Sequence, residues 1–416
     1  MLAPGIALTM MMTITVIAIP GHITFAQKPR QIYLSEETPK ELIDTVWQIV
    51  NRQYIDGTFN GQDWQAVRKE YLSRSYNSKQ EAYTAIRQML EKLGDPFTRF
   101  IDPQEFKETY SNEDNVGIGL QININQKTKE LEVISPIEDT PAYHAGILAG
   151  DVLLKINGKS TSGLSTINAV NQIRGKVSTP VVLTIRRDKK QLEFTIVRNK
   201  IELSPLKYKV QQTNKGNIGY IRLKQFNADS VRDMDRAIRD LENKQVAGYI
   251  LDLRSNSGGL LSSIVEIARM WINKGTIVST VDRNGERERE QANGKALTDK
   301  PLVVIINDAT ISGAEILTAA LQENNKAVLV GSKTIGYNTI QSVRPFDDGS
   351  HIVVTIAKWR TPKERDIDKL GIVPDIVVNL TSSQQQAMFQ KRSFGTMADP
   401  QFSSSVEKLT QLIQKN

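Results

Sequence analysis

The sequence predicts a multidomain α/β protein, and three patterns along its 416 residues support that fold class. From about residue 217, short apolar runs alternate with amphipathic helical stretches, and such repeated βα units form a largely parallel sheet covered by helices. Residues 103–198 show clean apolar and polar alternation, which predicts a smaller, β-rich α+β domain. Residues 27–102 have helical periodicity instead. The expected boundaries are 1–26, 27–102, 103–198, 199–380 and a polar tail at 381–416.

The composition excludes several classes of function. Lys and Arg total 53 against 46 Asp and Glu, a net charge of +7, and the charges are interspersed without an aromatic and basic platform for nucleic acid. The chain has no cysteine, so thiol catalysis, disulfides and cysteine-ligated metals are excluded. The histidines His22, His144 and His351 have no metal-ligand spacing. We therefore expect neither a metal nor an organic cofactor.

The first 26 residues carry no Asp, Glu, Lys or Arg and contain an apolar run at residues 6–20. This run is shorter than the roughly 20 apolar residues that a membrane-spanning helix needs. Thr24-Phe25-Ala26 is a small-x-small pattern suited to cleavage before Gln27, so a secretory signal peptide is expected. The alternative is an uncleaved N-terminal anchor, which would associate the protein loosely with a membrane.

Capping patterns predict helices in residues 27–102. Thr38-Pro39-Lys40-Glu41 reads as a capping box with proline at the first helical position. A second box at Ser78 opens a helix that Gly94 closes. We expect this region to be a structural platform.

In the β-rich region, residues 120–125, 181–187 and 192–196 alternate cleanly as strands, and a helix begins at Ser165. Gly117-Ile118-Gly119-Leu120 stands just before the first of these strands. Alternate glycines there let successive backbone N–H groups converge into a nest that holds a carboxylate.

Ser312 is the first candidate for chemistry. It follows a buried strand at residues 302–306 and stands at the start of a helix, where unpaired N–H groups and the helix dipole favour a developing oxyanion. Serine is also a favoured N-cap, so a purely structural role stays open. The turn at Gly258 and Gly259 presents similar N–H groups, and its alternative role is a strand-to-helix connection.

These segments together resemble the carboxyl-terminal processing peptidases, in particular their cyanobacterial and plastid branch. GIGLQI and PAYHAGILAGDVLLKINGKS resemble a PDZ domain, which holds the free C-terminus of a peptide. Other motifs with this resemblance are FNGQDW, LGDPFTRF, YILDLRSNSGGLL, ARMWINKGTIVSTVDRNG and DKLGIVPDI. The family implies a crotonase-like βα-repeat protease core, an inserted PDZ domain and an N-terminal helical element. It also implies export to the periplasm or thylakoid lumen, and protein or peptide substrates with free C-termini.

The resemblance assigns site residues. Setting Glu315 on the glutamate of the family's serine motif puts Ser312 on the nucleophile, with oxyanion N–H groups from Gly313 and from Gly258 or its neighbour Gly259. Gln341 falls on the glutamine that orients the base. The carboxylate of the substrate would bind at Gly117, Ile118, Gly119 and Leu120.

The family's base, a lysine 25 residues after the serine, is replaced here by Tyr337. Burial helps a lysine to lose its proton but hinders a tyrosine. Three hypotheses follow. The first is a working serine endopeptidase whose base is Tyr337, helped by Lys333 or Lys358, or is His351. The second is a pseudoprotease that binds C-terminal tails without cutting them. The third is a crotonase-type acyl-CoA enzyme, which the PDZ block and the signal peptide argue against.

Overall fold

The computed structural model describes residues 38–110, 116–125, 128–137, 139–148, 150–201, 204–213, 216–285, 287–391 and 393–415. The expected signal peptide at residues 1–26 lies outside the described residues. The chain divides into two compact units. Of the described residues, the first unit comprises those within 38–109, 205–378 and 404–415, and the second comprises those within 110–204 and 379–403.

The helices, in chain order, are α1 (Pro39–Gln53), α2 (Trp64–Ser73), α3 (Lys79–Glu91), α4 (Pro103–Tyr110), α5 (Pro141–Ala145), α6 (Thr166–Ile173), α7 (Ala228–Asn243), α8 (Leu261–Arg269), α9 (Gly313–Glu323), α10 (Ser382–Lys391) and α11 (Pro400–Ile413).

The strands are β1 (Arg99–Ile101), β2 (Val116–Gly117), β3 (Leu120–Ile124), β4 (Leu131–Pro136), β5 (Val152–Ile156), β6 (Lys159–Ser160), β7 (Pro180–Arg187), β8 (Lys190–Val197), β9 (Asn199–Lys200), β10 (Leu206–Thr213), β11 (Gly216–Leu223), β12 (Tyr249–Asp252), β13 (Thr276–Asp282), β14 (Arg287–Gln291), β15 (Leu302–Ile306), β16 (Ala327–Gly331), β17 (Thr339–Pro345), β18 (His351–Arg360) and β19 (Ile376–Val377).

The predicted caps begin the N-terminal helices. The Thr38 N–H donates to Glu41 Oε2 at 2.7 Å, and the Glu41 N–H donates to Thr38 Oγ1 at 3.3 Å, which confirms the capping box of α1. The Ser78 hydroxyl accepts from the Glu81 N–H at 3.2 Å and begins α3. α1, α2 and α3 bury their apolar faces in one cluster that also includes Phe100 of β1 and side chains of β18. The N-terminal helices therefore pack with strands β1 and β18 inside the first unit.

The core sheet has the order β10-β11-β12-β15-β16-β19. From β11 to β19 neighbouring strands are parallel, and β10 joins antiparallel at one edge. Helices α7, α8 and α9 pack their apolar side chains into the same cluster as these strands. Parallel strands that are covered by helices are buried on both faces. This explains why β12 and β15 are continuous apolar runs without alternating polar residues. The predicted βα repeats are confirmed.

A second, antiparallel sheet of the first unit has the order β1-β18-β13-β14, with β17 also paired to β18. β17 and β18 follow the loop that carries Tyr337, and they register Thr339 opposite Lys358. This sheet therefore fixes where that loop ends, whereas the loop begins after β16 of the core sheet.

The second unit contains a sheet of order β3-β4-β5-β7-β8, with β6 paired to β5 and the short pair β2–β9 beside it. The predicted strands at 181–187 and 192–196 are the hairpin β7–β8. β3 is the terminal strand of this sheet, so one edge of β3 has no neighbouring strand in the part of the chain that the structure describes.

None of the helices in the described residues has both the length and the apolar character of a membrane-spanning segment. No group of three or more His, Cys, Asp or Glu side chains in that part of the chain is arranged to hold a metal ion.

Candidate active site

Ser312 lies at the junction between β15 and α9, with its backbone at φ 53° and ψ −118°. A positive φ is uncommon for a residue with a side chain and costs free energy unless the surroundings enforce it. The residue is half-buried and directly precedes the first helical residue, Gly313. The start of α9 therefore holds the serine in a sharp strand-to-helix turn, as the sequence predicted.

The turn after β15 packs against the turn after β12 because these parallel strands are neighbours in the sheet. The Thr310 hydroxyl donates to the Leu253 carbonyl at 2.9 Å. The Ile311 N–H donates to the Asn256 carbonyl at 3.0 Å. Carboxyl ends of adjacent parallel strands meet at one edge of a sheet, so the serine turn and the glycine-rich turn share this edge.

The two turns approach so closely that only glycine fits between them. A Cβ on Gly258, whose φ is +94°, would lie 2.6 Å from the Gly313 nitrogen. A Cβ on Gly313 would lie 2.4 Å from Ile264 Cδ1 and 3.3 Å from the Gly259 nitrogen. The Gly258 N–H donates to Asn256 Oδ1 at 2.9 Å, within its own turn. Among the described residues, we find no acceptor for the N–H of Gly259 or of Gly313.

Glu315 joins the serine turn to the loop of the expected base. One carboxylate oxygen, Oε2, accepts from the Ser312 N–H at 2.8 Å and from the Tyr337 N–H at 2.9 Å. The other oxygen accepts from the Gly336 N–H at 2.8 Å and from the Thr334 hydroxyl at 2.5 Å. The side chain is fully buried, and burial raises the pKa of Glu315 while these four donors oppose that shift.

Because two N–H groups share one oxygen, the nitrogens of Ser312 and Tyr337 lie less than about 6 Å apart. The structure thus brings together the two positions that lie 25 residues apart in the sequence. The half-buried Tyr337 ring meets Phe97 edge to face, with ring centroids 5.6 Å apart. Its carbonyl accepts from the Trp359 indole N–H at 3.2 Å.

The other candidates around the base loop occupy distinct places. Gln341 is buried on β17, and its amide nitrogen donates to Thr339 Oγ1 at 2.9 Å. Lys358 lies opposite Thr339 on β18 and is half-buried. The Lys333 side chain is exposed at the other end of the loop.

His351 is not brought to this site. It pairs with Pro345 at the far end of β18, seven residues from Lys358. At about 3.3 Å per residue, this separation is roughly 23 Å along the strand. Its ring stacks on Phe106 with centroids 3.6 Å apart, and burial lowers its pKa. The geometry does not support His351 as the base.

In the second unit, Gly117, Ile118, Gly119 and Leu120 line an apolar groove between β3 and α6. The other residues that line the groove are the charged Arg174 and the apolar Val116, Ile122, Ile137, Val170, Ile173 and Ile201. Gly119 has a φ of +76°, and a Cβ there would lie 2.3 Å from Thr140 side-chain atoms. The predicted carboxylate loop therefore adjoins an open strand edge and an apolar groove, the arrangement that adds a peptide as a strand.

Comparisons with known proteins identify the family. Residues 217–378 match peptidase family S41, residues 132–187 match a PDZ domain, and residues 35–91 match the tricorn protease C1 domain. The carboxyl-terminal-processing protease of Synechocystis sp. is 41% identical over 393 residues, which is 93% of this chain and 90% of that protein. The chain belongs to the carboxyl-terminal-processing proteases of peptidase family S41. It is therefore a peptidase with a PDZ domain, and an acyl-CoA enzyme of the crotonase type is excluded.

Further relatives agree with this membership. The carboxyl-terminal-processing protease of Picosynechococcus sp. is 39% identical over 94% of this chain and 93% of its own. The chloroplastic carboxyl-terminal-processing peptidase 3 of Arabidopsis thaliana is 35% identical over 82% of this chain and 69% of its own. The solved photosystem II D1 C-terminal processing protease has a TM-score of 0.63 and 30% identity, covering 88% of this chain and 99% of that structure. The predicted fold class is confirmed, with a crotonase-like βα core and a PDZ domain.

Sequence reasoning missed the structural role of Glu315. In the sequence, Glu315 only marks the position of the serine motif. In the structure, its carboxylate links the serine turn directly to the Tyr337 loop. Three of its four donors are groups of the 334–337 loop, about 20 residues further along the chain. Two of those three are backbone N–H groups, which leave no trace in the choice of side chains. The signal that could have found it is a single acidic residue within the mostly apolar stretch 313–321, since such a charge is rarely buried without partners.

Proposed function

We propose that this chain is an exported serine endopeptidase that binds the C-terminal tail of a protein in its PDZ groove and cleaves near that terminus with Ser312. The observation that carries the proposal is the position of Ser312 at the start of α9, beside the N–H groups of Gly313 and Gly259. A nucleophile needs such donors because the attacked carbonyl oxygen becomes an anion.

The reaction is an acyl transfer. Ser312 Oγ attacks a peptide carbonyl, and the N–H groups of Gly313 and Gly259 stabilise the resulting oxyanion. We assign this role to Gly259 in place of Gly258, since the Gly258 N–H already donates to its own turn. The C–N bond breaks, the leaving amine takes up a proton, and water then hydrolyses the acyl-enzyme.

The base that accepts the hydroxyl proton is Tyr337 in this proposal. An ordinary tyrosine has a pKa of about 10, so a phenolate near neutral pH needs a neighbouring cation. Lys358, registered opposite Thr339, is the better candidate for that cation than the exposed Lys333. Gln341 would orient the phenol from β17.

The direct test of the nucleophile is cleavage of a peptide with a free, apolar C-terminus. We expect wild-type protein to cut it and Ser312→Ala to lower the rate by more than about a thousandfold. An unchanged rate in Ser312→Ala would remove Ser312 from the reaction. The same peptide with an amidated C-terminus serves as the control for tail capture.

A second candidate function is binding of C-terminal tails without cleavage, and one observation favours it. The position of the family's lysine carries a phenol, and its ring packs on Phe97. If wild-type protein binds tails but does not cut them, Tyr337→Lys should switch on cleavage. If wild-type protein does cut, Tyr337→Phe should lower the rate by more than about a hundredfold, as expected when a general base is lost. Cleavage that persists in Tyr337→Phe would show that another group accepts the proton.

For the cell compartment we propose the periplasm or the thylakoid lumen. The support is the expected signal peptide at residues 1–26 and the sources of the relatives, which are cyanobacteria and, by name, chloroplasts. An uncleaved N-terminus would associate the protein loosely with the membrane of the same compartment. We also retain the domain boundaries expected from the sequence as part of this proposal.

A further inference from the structure

Four large apolar side chains of the first unit are exposed, and they occupy two neighbouring segments. Ile335 is 39% exposed, Leu370 62%, Val373 54% and Val377 58%. We call these four residues the apolar strip. Among the described residues, every other exposed large apolar side chain belongs to the second unit, namely Ile134, Val177, Val197 and Met397. The exposed apolar surface of the first unit is thus concentrated in one region.

The strip is fixed to the loop of Tyr337. The Thr334 N–H donates to the Ile372 carbonyl at 3.1 Å, and the Ile372 N–H donates back to Thr334 Oγ1 at 2.7 Å. The Lys369 N–H donates to the Gly336 carbonyl at 3.0 Å. A Cβ on Gly336 would lie 2.1 Å from the Ile367 carbonyl oxygen, so the two segments are in close contact.

The same loop is hydrogen-bonded to the serine turn. Gly336 and Tyr337 donate their N–H groups to Glu315, which also accepts from the Ser312 N–H. Two short links therefore connect the apolar strip to Ser312. At its other end the strip reaches β19, the terminal strand of the core sheet.

Exposed apolar side chains gathered in one place mark a binding surface, because their burial by a partner is favourable. We propose that the apolar strip binds apolar side chains of the extended substrate segment that flanks the scissile bond. The inference rests on the proposed function, which puts that bond at Ser312. The substrate is the chosen occupant because the strip is continuous with the loop and the turn that carry the candidate catalytic residues.

This assignment makes the peptidase selective for unfolded chain ends. Folded proteins bury most of their leucine, valine and isoleucine side chains, so several of them are accessible together mainly in a segment that has lost its packing. The PDZ groove would then bind the C-terminus of the substrate, while the apolar strip binds the substrate residues upstream of that terminus. The sequence motif DKLGIVPDI, which holds Leu370 and Val373, gains a role in substrate choice.

The test is peptide binding by full-length protein, measured by fluorescence anisotropy. Two labelled peptides share the same free apolar C-terminus, and their upstream residues are leucine and valine in one and serine in the other. We expect wild-type protein to bind the apolar peptide about tenfold more tightly. The double variant Leu370→Ser/Val373→Ser should reduce this preference to about twofold or less. Val177→Ser/Val197→Ser is the matched control, since it removes two exposed valines from the second unit and should keep the full preference.

Binding does not require cleavage, so a catalytically inactive protein leaves this test intact. A preference that survives in Leu370→Ser/Val373→Ser overturns the proposal. Sedimentation distinguishes the competing occupant. If wild-type protein is a dimer that the strip variant dissociates, with the peptide preference unchanged, the strip is an interface between two copies of this chain.

Discussion

At the scale of single residues, the candidate site depends on hydrogen bonds of Glu315 that the chemistry of its side chain alone does not predict. Glu315 would ordinarily be considered as an acid or base. Its two oxygens instead accept four hydrogen bonds that hold the serine turn against the Tyr337 loop. We therefore regard Glu315 as a positioning residue. The spacing of 25 residues from Ser312 points to Tyr337, whereas only the structure shows that the backbones of Ser312 and Tyr337 lie close together.

Replacing Glu315 by glutamine should loosen this connection. A glutamine offers one carbonyl oxygen in place of two carboxylate oxygens, so at least one backbone N–H, for instance that of Gly336, would face an NH₂ group. A buried donor left without an acceptor costs about 1–3 kcal/mol, and we expect the free energy of unfolding in urea to fall by that amount. Glu266→Gln, on the exposed surface of α8, should change it by less than about 0.5 kcal/mol.

Equal loss of stability in Glu315→Gln and Glu266→Gln would contradict the positioning role. The peptide cleavage assay adds an independent readout. If Glu315 acts through the geometry of Ser312, the cleavage rate should fall even at a temperature where the variant is fully folded.

At the scale of elements, the site depends on two strand-to-helix turns that pack at one edge of the core sheet. β12 and β15 are parallel neighbours, so their carboxyl ends deliver the Gly258 turn and Ser312 side by side. The sequence predicted each turn from its strand, its glycines and the helix that follows. It did not predict that the Gly258 N–H would be used by Asn256, because that hydrogen bond depends on the exact path of the turn.

Replacing Gly258 by alanine should separate the two turns. The new Cβ would lie 2.6 Å from the Gly313 nitrogen, and the positive φ adds strain of its own. We expect a lower melting temperature and loss of peptide cleavage. Gly285→Ala is the matched control, since Gly285 has a φ of +80° but no atom within 4 Å of the added Cβ. If the melting temperatures of Gly258→Ala and Gly285→Ala fall equally, the steric contact between the two turns adds nothing to the effect of backbone strain.

At the scale of the whole molecule, most of the secondary structure could be predicted from local periodicity in the sequence. The βα repeats, the β7–β8 hairpin and the capped N-terminal helices follow from patterns within about 20 residues, so the sequence could predict them. The first unit nevertheless contains both the N-terminal helices and the βα core, which are separated in the chain by residues 110–204. That grouping depends on apolar side chains of β1 and β18 packing with α1, α2 and α3, a contact with no local signature.

The fold class, the peptidase family and the replacement of the expected lysine by Tyr337 could all be predicted without coordinates, because they follow from residue order and spacing. The distance of His351 from the serine and the link that Glu315 makes between Ser312 and the Tyr337 loop became visible only in the folded chain. The same is true of the exposed apolar residues of the first unit that adjoin that loop. The physical reason is that strand register and hydrogen bonds to backbone N–H groups set these distances, and neither is encoded by the identity of a single side chain.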